Sequence, residues 1–262
     1  MKRWLMFILL LITLVGCKAD KKAVKILIPD GIPAVGLGGL FKEEDLDFKV
    51  VSGPDLLSSE LLQDNYDIIV APLTLGTTLY LKGKIKYKLD SVLTLGNSYL
   101  VSRKSLSRIE DLEGKVIGAY GLNNTPDIIL RKVLDKYNVT ADIEYEASIN
   151  DIVSNRFMTN SLDYILTAEP VLSNLETKES RLVKLDLQAL LSDELAFIPQ
   201  AAIFVKDNSY RKVINRIASN VTYLNENPES YANKLLAIDK DKYPTFNKLG
   251  YDILLKSIPR SN

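Results

Sequence analysis

The sequence predicts an α/β protein of two similar lobes, on three observations. Short apolar strands alternate with helical stretches along most of the chain. The order strand, helix, strand, helix, strand and proline-opened helix occurs twice, with third strands YDIIVA (66–71) and LDYILT (162–167) in matching places. Between the two units lies a β-rich stretch, Tyr87 to Arg103, broken at Gly96-Asn97-Ser98 and read as the crossing between lobes. Apolar strands in this alternation imply parallel sheets covered on both faces.

Taken in order, Val24–Pro29 is the first strand, and Asp30–Gly39 reads as a glycine-rich loop entering a helix near Leu40. Phe48–Ser52 is the second strand. Gly53-Pro54 is a turn, and Asp55 caps a helix through Gln63. After the strand Tyr66–Ala71, Pro72 opens a helix to about Leu81, and Lys82–Lys86 is a solvated basic turn. Ser107 and Glu110 have the spacing of a capping box. Val116–Tyr120 is a strand bounded by glycines. Gly121–Asn124 is turn chemistry, with residues that tolerate positive φ. Thr125 is placed as the N-cap, Pro126 at the first helical position and Asp127 in the first turn. Ile129, Val133 and Tyr137, with Leu130 and Leu134, form the buried stripe of that helix. Asp142–Glu146 is a strand, Ser148 and Asp151 start a helix over 149–158, and Ala168-Glu169-Pro170 opens another after Leu162–Thr167. Ile198–Lys206 is the returning strand. A long helix follows from Asp207 to Asn225 with Val213, Ile217, Val221 and Leu224 inward, and Asn227-Pro228-Glu229 restarts a helix to about Ala237. The lysine-rich remainder reads as loop with a short helix near 251–256.

Composition narrows the function. A chain of 262 residues suits one large domain or two small ones. Lys+Arg and Asp+Glu are both 33, so no basic field is present for nucleic acid. Histidine is absent, which removes the commonest general base and metal ligand together. The one cysteine, Cys17, leaves no intrachain disulfide. Lys2 and Arg3 precede the apolar run Trp4–Val15, which has the length of a signal segment rather than a membrane span. Leu14-Val15-Gly16-Cys17 matches a bacterial lipobox, with cleavage before Cys17 and lipid on its thiol; an ordinary secretory peptide is the alternative. Removing residues 1–16 takes Lys2 and Arg3 from the 33 basic residues, against 33 acidic ones, leaving a formal charge of −2. The expected organisation is signal peptide 1–16, lipidated tether 17–23, lobe one 24–96 with 205–262, and lobe two 97–204.

In open α/β sheets ligands bind beyond the carboxyl ends of strands. That rule nominates Gly31, Ile32 and Pro33 after the first strand and Leu73 and Thr74 after the third. It adds Asn97 and Tyr99 at the crossing, Gly121, Asn123 and Thr125 after Val116–Tyr120, Glu169 after the sixth apolar run, and Gln200 on the returning strand. These are hydroxyls, amides, glycines and one carboxylate, suited to neutral hydrogen bonding of a small solute. The loop at 121–125 also offers backbone N–H groups at a helix start, a site for an anionic or polar group. Each residue equally suits a cap, a turn or packing. Arg260 is the exposed cation that could pair an anion. No P-loop, G-x-S-x-G or HExxH pattern occurs, so neither catalytic residue, metal nor cofactor is expected.

The ordered set DGIPAVGLGGL, SGPDLL, YDIIVAPLTLG, GNSYLVSRKS, DLEGKVIGAYGLNNTPDIILRKVL, YILTAEPV, IPQAAIFV and NENPESYA, with the lipobox, resembles the substrate-binding lipoproteins of ABC importers. The similarity runs from about Cys17 to Ala237 and is greatest to the binding proteins for nitrate, sulfonates, taurine and thiamine precursors. The resemblance implies a type II periplasmic-binding fold: two α/β lobes, two crossing strands and a ligand clamped between them, with hinges near Asn97 and Gln200. It implies a monomer anchored by lipid outside the cytoplasm that docks on a permease driven by an ATPase. Tyr99 would stack on an aromatic ligand, favouring a vitamin precursor. A lipid-anchored sensing module without transport, and an enzyme on the same fold, are the competing readings; the lack of histidine argues against the enzyme.

Overall fold

The computed structural model describes residues 22–51, 54–194 and 198–239. The expected signal peptide, Cys17 and Arg260 lie outside the described residues. Two five-stranded sheets form. With strands numbered along the chain, the first sheet has the order β2-β1-β3-β10-β4 and the second β7-β6-β8-β5-β9. The first comprises β1 (Val24–Pro29), β2 (Leu46–Val51), β3 (Ile68–Pro72), β4 (Lys88–Leu95) and β10 (Pro199–Val205). The second comprises β5 (Tyr99–Ser102), β6 (Val116–Tyr120), β7 (Asp142–Glu146), β8 (Tyr164–Thr167) and β9 (Val183–Asp186).

The sheets are mixed rather than parallel throughout. β1 runs parallel to β2 and β3, while β10 runs antiparallel to β3 and β4. In the second sheet β6 is parallel to β7 and β8, while β5 is antiparallel to β8 and β9. Strand direction is set by where the chain enters a sheet, and each sheet receives one strand from a crossing. The returning strand pairs within the first sheet, so the division expected at 204/205 would cut β10, and the sheet boundary lies before Pro199 instead.

Register fixes how the sheets face each other. Leu95, at the end of β4, pairs with Pro199 at the start of β10, and Ala201 pairs with Pro72 at the end of β3. Tyr99, at the start of β5, pairs with Thr167 at the end of β8 and Asp186 at the end of β9. The short crossing Gly96–Ser98 therefore joins the carboxyl ends of one parallel set to the carboxyl ends of the other. The second crossing lies beside it, with the Gly96 N–H donating to the Ile198 carbonyl at 2.7 Å.

Each sheet is covered on both faces, and four apolar clusters result. Ile26, Ile28, Phe48 and Val70 pack with Val213, Ile217 and Tyr231 on one face of the first sheet, and Leu27, Ile69 and Phe204 pack with Leu57 and Leu61 on the other. Ile117, Leu100 and Leu166 meet Ile129, Leu130 and Val133, and Val101 and Ile165 meet Ile152, Leu172 and Leu175. Of the stripe expected on the helix after β6, Ile129, Leu130, Val133 and Leu134 are buried, while Tyr137 is half-buried at the C-cap.

Several local expectations are corrected. Residues 30–39 are not one loop: Ile32–Leu37 is a helix (α1), with Pro33 in its first turn and Gly31 at φ 96° turning the chain into it, followed by a 3-10 turn Gly38–Leu40. Gly39 packs where a Cβ would meet Asn220 and Tyr231, which explains a glycine in a buried turn. The next helix, α2, is Pro54–Gln63, so Asp55, expected before the helix, lies within its span. The helix α3 (Leu73–Leu81) follows β3, and α4 is Thr125–Lys136. The N-cap of α4 is Asn124, not Thr125, which occupies the first helical position. The expected pairing of Ser107 with Glu110 is replaced by Asp111, which accepts from the Ser107 and Arg108 N–H groups at 2.7 and 3.2 Å. The stretch after Ser148 opens as α-helix Ile149–Asp151 and continues as π-helix Ile152–Phe157. After β8, helix α5 is Val171–Lys178; α6 (Arg211–Glu226) and α7 (Pro228–Leu236) close the first lobe.

Candidate ligand-binding cleft

The facing strand ends carry most of the residues nominated by sequence. On the first lobe, Gly31 turns the chain after β1, and a Cβ there would meet nothing within 4 Å. The Ile32 side chain is buried, so only its backbone and the half-buried Pro33 remain near the surface. Leu73 and Thr74 open α3. The Thr74 hydroxyl is buried and has no hydrogen-bond partner from the protein. Gly76, one turn on, packs where a Cβ would collide with the Phe204 ring, so α3 sits close on β10.

On the second lobe, the turn after β6 runs through Gly121 at φ 70° and Asn123 at φ 60° into α4. Asp127 organises it. Its carboxylate is 2% exposed, accepts from the Asn123 N–H at 2.8 Å and the Arg131 Nε at 2.7 Å, and receives the Tyr145 hydroxyl. Burial and Asp127 together push the Tyr145 phenol up to about 12. The positive end of α4 therefore already holds a carboxylate of its own chain, which opposes a second anion there. Thr125, beside it, is 7% exposed with an unpartnered hydroxyl. The half-buried Tyr120 ends β6, and burial raises its phenol above the ordinary range.

At the third position, Tyr99 and Thr167 are cross-strand partners and so share one face of the sheet. Thr167 is fully buried with an unpartnered hydroxyl. Burial first, then the carboxylates of Asp186, Glu169 and Glu176, push Tyr99 up to about 12. Glu169 accepts from the Ser173 N–H at 3.0 Å, capping α5, while burial raises its pKa above the ordinary carboxylate value.

Asn97 does not present a free amide. Its Oδ1 accepts from the Glu169 N–H at 2.8 Å, and its Nδ2 donates to the Glu169 carbonyl at 3.2 Å. Gln200 reaches Ser98, its Nε2 lying 3.5 Å from the hydroxyl. The structure thus joins Asn97 with Glu169, Tyr99 with Thr167, and Asn123 with Thr125 through one turn. No hydrogen bond among the described residues links these to Gly31, Ile32, Pro33, Leu73 or Thr74.

Sequence reasoning missed Tyr120, Thr167 and Gln188. The first two are terminal strand residues that the strand-end rule could have included. Gln188 lies in a stretch left unassigned, and nothing local marks it. A groove of about 620 Å³ lies elsewhere, between β2 and α2, lined by Asp47, Lys49, Glu60, Gln63 and Tyr66, and contains none of the nominated residues. Among the described residues no group of three potential metal ligands occurs.

Residues 37–238 match the family described as NMT1/THI5 like. A comparison with curated proteins gives no match. Among solved structures, the chain is similar to an ABC transporter protein from Parabacteroides distasonis, at 21% identity over 90% of this chain and 84% of that one, TM-score 0.74. It is similar to the periplasmic aliphatic sulphonate binding protein SsuA from Escherichia coli, at 15% identity over 91% and 79%, TM-score 0.67. It is also similar to the alkanesulfonate-binding protein SsuA from Xanthomonas axonopodis pv. citri bound to MOPS, at 14% identity over 92% and 86%, TM-score 0.64. These likenesses show the expected fold, two α/β lobes of the type II periplasmic-binding class.

Proposed function

Because this chain belongs to the NMT1/THI5-like family, we propose that it is the solute-binding component of an ABC importer, capturing a small polar organic molecule between its lobes. The observation that carries this reading is the set of buried hydroxyls at the facing strand ends. Thr74 on one lobe and Thr125 and Thr167 on the other lack protein partners. A buried hydroxyl without a partner costs about 1–3 kcal/mol, so three at one cleft point to a ligand that pairs them. Gly31, Ile32, Pro33, Leu73 and Thr74 form one wall; Tyr99, Gly121, Asn123, Thr125, Glu169 and Gln200 form the other. In this reading the cleft serves binding, through hydroxyls, amides and one carboxylate whose pKa is raised by burial. The ligand favours the closed arrangement of the lobes because it bonds to both.

The remaining parts of the reading rest on sequence. Cys17 carries lipid and holds a monomer at the outer face of the membrane, where the closed form delivers solute to a permease and its ATPase. Among the described residues no helix is long and apolar enough to cross a membrane. A thermal-shift screen over sulfonates, nitrate and thiamine and riboflavin precursors tests the reading. A true ligand raises the melting temperature with the logarithm of its concentration and lowers the radius of gyration in small-angle scattering. Stabilisation by a ligand with an unchanged radius would overturn closure.

A further inference from the structure

The crossing Gly96–Ser98 is tied to one lobe far more firmly than to the other. Asn97 grips both backbone groups of Glu169 with its amide, at 2.8 and 3.2 Å. Gln188 does the same to Ser98: its Oε1 accepts from the Ser98 N–H at 2.7 Å and its Nε2 donates to the Ser98 carbonyl at 3.2 Å. The Leu187 N–H donates to that carbonyl too, at 3.1 Å. The stem of Gln188 lies flat on Gly96, where a Cβ would collide with Cγ. Ser98 is fully buried.

Towards the first lobe the side-chain attachment of the crossing is one long contact, the Gln200 Nε2 lying 3.5 Å from the Ser98 hydroxyl. The Gly96 N–H bonds Ile198 across the crossings. Beyond it the β4–β10 register shifts between Pro199 and Ala201 and again between Ala201 and Ala202. Pro199 has no N–H to give, and the Ala201 N–H donates to the Thr94 hydroxyl at 3.0 Å.

We propose that Asn97 is a positioning residue that welds the crossing to the second lobe, so that lobe motion bends the chain at Leu95–Gly96 and Pro199–Ala201 and carries Glu169 as one body with the crossing. The amide acts as a strand partner for a residue 72 positions away. Its role in capture rests on the reading of the cleft given above, but the weld is testable without a ligand.

The experiment is pulsed electron spin resonance on the full chain with Cys17→Ser. Labels at Lys104→Cys and Lys212→Cys report between lobes, and labels at Lys104→Cys and Lys178→Cys report within the second lobe. Asn97→Ala should broaden the inter-lobe distance distribution and leave the intra-lobe distance unchanged. Asn97→Asp still accepts from the Glu169 N–H but cannot donate to its carbonyl, and should fall between. Gln188→Ala should broaden the distribution as Asn97→Ala does, and keeps the test open if Asn97→Ala does not fold. An inter-lobe distribution identical to wild type in these variants, or broadening within the second lobe as well, would overturn the weld. A failed ligand screen with a broadened Asn97→Ala distribution would count against solute capture alone.

Discussion

The end of α1 and the 3-10 turn that follows it are held from a distant part of the chain, whereas the loop at Gly121–Asn124 is held from within its own helix. Tyr231 donates to the Val35 and Gly36 carbonyls at 3.0 and 2.8 Å, and accepts from the Gly39 N–H at 3.0 Å. Asn220 adds a bond to the Gly36 carbonyl at 2.7 Å. These partners lie 184 to 196 residues away. Asp127 is four residues from the Asn123 N–H that it accepts. The difference teaches that one wall of the cleft is shaped only when its whole lobe has assembled, while the other is shaped as soon as its helix forms.

Tyr231 tests the distant hold most severely. It is fully buried, so Tyr231→Ala should cost about 3–5 kcal/mol in urea unfolding. Tyr231→Phe keeps the ring and should still cost about 1–3 kcal/mol, because it leaves the Gly39 N–H without its acceptor. A loss within a few tenths for the Phe variant would break the comparison. The local hold comes next. Asp127→Ala should cost about 1–3 kcal/mol, an amount kept modest because its partner Arg131 is 55% exposed. Its sharper signature is faster hydrogen exchange at the Asn123 N–H with the sheet-one amides unaffected.

Glu169 sharpens the comparison through pH. Its folded pKa is raised, so folding disfavours the ionised form. The contribution is full below the ordinary value of 4.5 and is lost as pH rises through the raised folded value. Glu169→Gln should therefore gain stability over wild type across that window; parallel pH profiles would refute the burial cost. Smallest of all, Lys132→Ala removes an ion pair to Glu194 whose partners are 41% and 38% exposed, and should change stability by under about 0.5 kcal/mol.

Legibility followed the same divide between local and distant. β1, β6 and β7 were readable to the residue, because apolar runs between turn residues carry their own boundaries. The helix after β6 was readable because Pro126 and the stripe from Ile129 to Leu134 are local signals. β9 was not, since VKLD is a short, mostly exposed edge strand without apolar alternation. The helix Ile32–Leu37 is hidden by the glycines in and around it; a Cβ at Gly31 or Gly36 would meet nothing within 4 Å, and Gly39 is the one packed against Asn220 and Tyr231. The directions of β5 and β10 are properties of the crossing, and no residue within either strand states them. In the cleft, strand ends can be nominated by rule, but no residue near Asn97 in sequence states that its amide is spent on Glu169, 72 residues away.

The position of β10 carries one more consequence. It fills the gap between β3 and β4, and among the described residues β4 pairs with no other strand. While the polypeptide emerges from the ribosome, sheet one stays open until residues 199–205 arrive, after all of sheet two has been made. Synthesis thus favours completing the inserted half before the half that was begun first.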